Sequence, residues 1–185
     1  HDLQGFGRRA LKLSHAEIEN LVAYQVGALA GVAVLEGGRV THVKPHGALN
    51  NQACADTGLA AAICRAVRAV DPGLILLAPA ASALLTAGQE SGLKVVEEIF
   101  ADRAYQDDGQ LAPRGTPGAM VHGAENCAAH VQAMLAEKAL VALSGKRIPT
   151  AIGSVCVHGD GAEAVAVARH LRKALEAGGW RVVPL

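Results

Sequence analysis

Short apolar runs alternate along this chain with segments of helical period, and that alternation restricts the fold more than any other feature. Residues 40–43, 74–77, 94–100 and 152–157 read as strands, the first closed by Pro45 and Gly47. Between them Ile18, Leu21, Val22, Val26 and Leu29 keep helical spacing, as do Leu59, Ile63, Val67 and Val70. Further helices are expected over 83–90, over 125–138 through Val131, Met134 and Leu135, and through Ala164, Val167, Ala168, Leu171 and Leu175. Ser14 and Glu17 form a capping box, from which a first helix of about four turns is expected. Residues 140–143 and Ile148 flank a turn at Ser144-Gly145-Lys146, and a last strand is expected over 180–183. Strands alternating with helices give a parallel sheet with right-handed crossovers, open or closed into a barrel.

A length of 185 residues with 51% hydrophobic content suits one domain, 1–185, with a full core. Aromatics are only 3% while alanine and glycine abound, which favours helices packed closely on a sheet over an aromatic-rich sandwich. Seventeen basic residues balance seventeen acidic ones, so no global field draws the chain to nucleic acid or to an anionic membrane. A small molecule or another protein is the expected partner. Cys54, Cys64, Cys127 and Cys156 lack C-x-x-C spacing, which points to reduced, mostly buried thiols in a cytoplasm. No apolar run approaches membrane-spanning length on this reading, and no signal-peptide layout is present.

Three strands end in polar clusters: Lys44 with His46, Glu98 with Asp102 and Arg103, and His158 with Asp160. In a parallel sheet such ends lie on one side, where chemistry collects. Side chains alternate along a strand, so Glu97 and Glu98 face opposite ways, and Glu98 shares its face with Val96 and Phe100. Each residue also has a purely structural account. His46 and His158 fit hydrogen-bonded strand-end imidazoles, and Asp160 with Glu163 has the spacing of a helix cap. Asp102 and Arg103 fit surface ion pairs. Gly5 and Gly7 are too few for a phosphate loop, and Gly145-Lys146-Arg147 is not a Walker A sequence. Neither H-E-x-x-H nor G-x-S-x-G occurs, although His46, His158 and Asp160 on separate strands remain possible metal ligands.

The stretches GFGRR (5–9), YQVGAL (24–29), VKPHGAL (43–49), EIFADRAY (98–105) and VCVHGD (155–160) run in order across nearly the whole chain and resemble those of the LamB/YcsF family. Asn50 departs from that pattern, which usually has tyrosine after HGAL. The resemblance implies a distorted parallel β/α barrel of the glycoside hydrolase/deacetylase type. It aligns His1-Asp2-Leu3 with the loop following the family's Asn-Cys-Asp and His-Ala-Gly-Asp motifs, so the barrel is expected to lack its N-terminal strands in this chain. The implied activity is cleavage of 5-oxo-L-proline to L-glutamate coupled to ATP hydrolysis, with Mg2+, in a complex with two further 5-oxoprolinase subunits, B and C.

A five-membered lactam resists direct attack by water, so this chemistry needs cations for phosphate charge and a general base. Lys44 and Arg103 are the expected electrostatic stabilisers, and Arg8, Tyr105 and Arg114 candidates for binding substrate or phosphate. His46 and His158 are the expected proton carriers, assisted by Glu98, Asp102 and Asp160. Two alternatives stand beside this reading: a metal-dependent deacetylase or amidohydrolase using His46, His158 and an aspartate, and a non-catalytic scaffold that completes a partner's site.

Overall fold

A computed structural model describes residues 2–185, which group into two compact units, one reaching to Val96 with Leu185 and the other Glu97–Pro184. In the first unit the chain forms α1 (His15–Leu35), β1 (His42–Val43), α2 (Gly47–Ala55), α3 (Thr57–Val70), β2 (Ile75–Pro79), α4 (Ala83–Glu90) and the start of β3 (Lys94–Phe100). β1 and β2 are parallel, with His42 opposite Ile75 and Val43 opposite Leu76. The capping box opens α1 as expected: Ser14 Oγ accepts the Glu17 N–H at 3.3 Å, and the Glu17 carboxylate accepts the Ser14 N–H at 2.8 Å.

Composition sets how α1 and α3 meet. Ile18 and Val22 of α1 are buried, and α3 brings Leu59, Ile63 and Val67 among the small residues Ala60, Ala62 and Ala66. Alanines at those positions let the two helix axes approach closely. Leu76 and Leu84 complete that core.

Three features of this unit depart from the sequence reading. Where one helix was expected after β1 there are two, because Asp56 takes an extended conformation, ends α2 and caps α3 by accepting the Leu59 N–H at 2.9 Å. α1 extends to 21 residues rather than about four turns, since no glycine pair or proline interrupts it before Gly37-Gly38. From Asn20 to Leu35 it carries no charge, and its most apolar 18-residue window has a mean hydropathy of 1.5. By length and composition it is therefore long and apolar enough to cross a membrane, which corrects the expectation of no such stretch.

The second unit holds the end of β3, then α5 (Ala124–Glu137), β4 (Ala139–Val141), β5 (Arg147–Pro149), β6 (Ile152–Cys156) and α6 (Ala164–Ala177). β3 and β6 are parallel, with Glu98 opposite Ser154 and Phe100 opposite Cys156, after a register shift between Glu97 and Glu98. The fold is thus mixed α/β with a parallel sheet. The turn expected at Ser144-Gly145-Lys146 lies between β4 and β5, which pair antiparallel. Val131, Met134 and Leu135 of α5 are buried, as are Val167, Leu171 and Leu175 of α6, and these two helices pack together.

Residues 180–183 are not a strand. The Trp180 N–H turns back to the Leu175 carbonyl at 3.0 Å, closing α6, and Trp180, Val182 and Val183 are exposed with no strand beside them among the described residues. Asp160 does not cap α6 either, because the helix starts only after Glu163, beyond Gly159 and Gly161. All four cysteines are unbridged; burial pushes the Cys54 thiol up to about 11.

Candidate active site

Parallel pairing carries the chain past the end of β3, where the Ala101 N–H bonds to the Cys156 carbonyl at 3.0 Å. The next residue, Asp102, faces His158, two positions beyond the end of β6. Both Asp102 carboxylate oxygens lie 2.8 Å from His158 Nδ1. Burial opposes ionisation of Asp102, but the bond and charge of His158, helped by a backbone N–H and Arg103, hold its carboxyl below the ordinary value. The Phe100 ring stacks on the imidazole with centroids 5.8 Å apart and planes at 21°. A carboxylate accepting from Nδ1–H leaves the lone pair on Nε2, so the pair is built as an oriented base.

Two aromatic residues brace the turn that carries Asp102. Tyr105 is 1% exposed, and its hydroxyl accepts the Phe100 N–H at 2.8 Å. On its other side the His130 ring stacks at 6.4 Å and 22°, and His130 Nε2 lies 3.0 Å from the Arg103 carbonyl. A carbonyl only accepts, so the proton of a neutral His130 sits on Nε2. Sequence reading passes over His130 because it lies within a helix rather than at a strand end; its only signal is a histidine among the apolar spacings of α5. Burial lowers its pKa, with smaller opposing effects from the Arg103 carbonyl and Asp102.

That direction gives a pH dependence. The unfolded chain binds a proton at His130 near the ordinary 6.5 while the folded chain resists it, so stability falls as pH drops below that value and levels off below the folded pKa. His130→Gln keeps an N–H donor without titrating. Urea midpoints measured from pH 8 to pH 5 should therefore fall less in the variant than in the natural chain, and parallel curves would refute this.

Glu98 is 3% exposed, and its Oε2 accepts from Ser154 Oγ on the neighbouring strand at 3.3 Å. Glu97 points the other way, accepting from the Thr150 hydroxyl and, at 3.3 Å, from the Ala151 N–H. Opposite facing of the two glutamates is as expected. Arg103 is 6% exposed and donates from Nη2 to the Ala112 carbonyl at 2.7 Å; Arg114 is exposed, with Nη1 3.8 Å from Met120 Sδ. Asp160 is exposed.

In the first unit, the GFGRR stretch folds as a tight loop on the N-terminus of α2. Asp2 accepts both Arg9 Nε and Nη2 at 2.6 Å and the Gly5 N–H at 2.9 Å. The Arg9 guanidinium, with Gly5, holds the Asp2 carboxyl down to about 2. His46 is the N-cap residue of α2 without a side-chain cap bond, and the Phe6 ring meets it edge-on at 5.9 Å. Lys44, His46 and Arg8 are all exposed. Among the described residues no three His, Cys, Asp or Glu side chains gather as metal ligands.

These matching stretches are not a coincidence of composition. The model of the LamB/YcsF family matches residues 1–185. The chain belongs to the LamB/YcsF family. Among its relatives, a protein of Azoarcus sp. (strain BH72) named as the A subunit of 5-oxoprolinase is 57% identical over 184 residues, covering 100% of this chain and 72% of the relative. A Nitrobacter winogradskyi protein of the same name is 52% identical, covering 99% and 72%. A crystal structure of a lactam utilization protein from Thermus thermophilus superposes with a TM-score of 0.90 at 41% identity, covering 100% of this chain and 73% of that one. Within the family's matching stretches lie Asp102, Arg103 and Tyr105 in EIFADRAY and His158 in VCVHGD, so the pair at the ends of β3 and β6 falls on its motifs.

Proposed function

We propose that this chain acts as the A subunit of an ATP-dependent 5-oxoprolinase, cleaving 5-oxo-L-proline to L-glutamate with hydrolysis of ATP to ADP and phosphate. The observation that carries the reading is the oriented Asp102–His158 pair at the ends of two parallel strands, in a chain 57% identical to a protein named for this activity. The relatives are named as one lettered subunit of an enzyme, which supports a multi-subunit assembly, and 5-oxoprolinase subunits B and C are the proposed partners. The parallel strands and the structural neighbour support a distorted β/α barrel as the architecture to which these elements contribute.

In this reading the γ-phosphoryl group of ATP, carried with Mg2+, is transferred to the lactam carbonyl oxygen and ADP leaves. The ring carbon becomes electrophilic. His158 Nε2 takes a proton from the attacking water and returns it to the ring nitrogen as the C–N bond breaks, leaving an acyl phosphate. A second water releases phosphate and L-glutamate. Asp102 keeps the imidazole in the tautomer this needs and balances the imidazolium. Arg103 supplies a buried positive charge, Glu98 a carboxylate in the strand, and Tyr105 the brace of the turn. Asp160, an exposed group on a matching stretch of the same unit, is proposed as a further member, while Lys44, His46 and Arg8 are exposed groups on the matching stretches of the first unit.

The decisive assay is oxoproline-dependent release of ADP and glutamate by the chain, alone and with subunits B and C. Equimolar ADP and glutamate from the assembly is the expected result. Lactam cleavage without ATP, abolished by chelator, would replace this reading with the metal-dependent amidohydrolase.

A further inference from the structure

Among the described residues the buried Arg103 guanidinium has no ion pair at contact distance, its nearest acidic influence being the charge of its chain neighbour Asp102. Its side chain is 6% exposed, yet among the described residues its hydrogen bond goes to a neutral group, the Ala112 carbonyl, and its Nε has no partner. Asp102, its chain neighbour, has both oxygens turned to His158. No carboxylate among the described residues lies within ion-pair distance of Arg103 or of Arg114. A buried ion is ordinarily paired, and an isolated buried N–H is rare.

A second cation stands beside the first. Arg103 and Met120 form an antiparallel bridge, and the Arg114 guanidinium rests on the Met120 sulfur. Arg114 therefore adds positive charge next to a guanidinium that burial already disfavours. Like charges drawn together in one turn are destabilising unless an anion joins them. The Nε edge of an arginine offers the parallel donors that fit the two oxygens of a carboxylate, and an exposed arginine beside it supplies the entry for an anion.

We infer that Arg103 and Arg114 form an anion subsite that takes the carboxylate of the lactam substrate, Arg103 as the buried fork and Arg114 at the solvent side. This rests on the oxoprolinase reading and adds to it which part of the substrate these residues hold. Specificity for an amino-acid-derived lactam over an uncharged one follows. The lactam ring would then be located relative to the turn by its carboxylate, and the carbonyl left to the reacting groups.

Calorimetric titration of the assembled protein with 5-oxo-L-proline, with 2-pyrrolidinone, which has the same ring without the carboxylate, and with inorganic phosphate separates the possibilities. Arg114→Gln, on an exposed side chain, and Arg103→Gln are the variants. Each should weaken 5-oxoproline by at least about tenfold, the scale of a lost charge-assisted bond, and leave 2-pyrrolidinone within about twofold. Equal loss for both lactams would overturn the inference, as would loss of phosphate binding alone with 5-oxoproline unchanged, which would make this a phosphoryl site. Unchanged 5-oxoproline binding in folded Arg114→Gln overturns it while leaving the oxoprolinase reading intact. Failure of the natural protein to bind either lactam overturns both.

Discussion

Asp102→Asn is expected to lower oxoproline-coupled turnover by about a hundredfold or more, within the range typical of general acid–base groups, with little change in KM. The expectation rests on tautomer rather than on charge alone. With the carboxylate in place, both oxygens accept, so Nδ1 must hold the proton and Nε2 is free to take one. An asparagine presents a donor as readily as an acceptor at the same position. Its amide N–H would bond to an unprotonated Nδ1, moving the proton to Nε2 and removing the base. The fold should survive, because the stacked Phe100 ring and the Tyr105–His130 brace do not involve the Asp102 side chain. Imidazole nitrogen NMR would show the tautomer change directly, and His158→Ala should match the kinetic loss. A variant retaining more than a tenth of natural turnover would remove this pair from the chemistry.

How much of that pair is legible in the sequence depends on the kind of information each residue needs. Lys94–Phe100 and Ala83–Glu90 are read to the residue, since Gly92 ends the helix and sets off the apolar strand that follows. That Asp102 and His158 stand at strand ends is visible from the same patterning. That they touch is not, because the contact depends on β3 and β6 being neighbours in register, and pairing is a tertiary property that local pattern does not specify. His130 escapes notice for a related reason: its role lies in the carbonyl it meets 27 positions away, and nothing in its own neighbourhood records that. The expected strand over 180–183 fails in the opposite direction. Val182 and Val183 have strand propensity, but a strand exists only where an edge accepts it. α1 runs long because apolar spacing lapses before the helix does, and the backbone continues through small uncharged residues until Gly37 and Gly38.

The second large effect is on stability, at Gly47. Its φ of +61° lies in the left-handed region, and a Cβ there would stand 2.3 Å from the Gly7 carbonyl oxygen, a backbone atom with little freedom to withdraw. That carbonyl is committed, accepting the Ala48 N–H at 2.8 Å, and its own loop is closed by the Gly7 N–H on the Asp2 carbonyl at 2.8 Å. Gly47→Ala must therefore bear the left-handed strain and also break the dock between the loop and α2. The two together are expected to cost roughly 2–4 kcal/mol of unfolding free energy. Gly27→Ala supplies the opposite case within the same unit. Gly27 lies inside α1 with nothing within 4 Å of an added Cβ, so alanine should stabilise by about 0.5–1 kcal/mol through helix propensity. Urea unfolding of the two variants against the natural chain measures both signs at once. If Gly47→Ala unfolds at the natural midpoint, the loop does not rest on α2 as described, and the placement of Arg8 and His46 beside it falls with that contact.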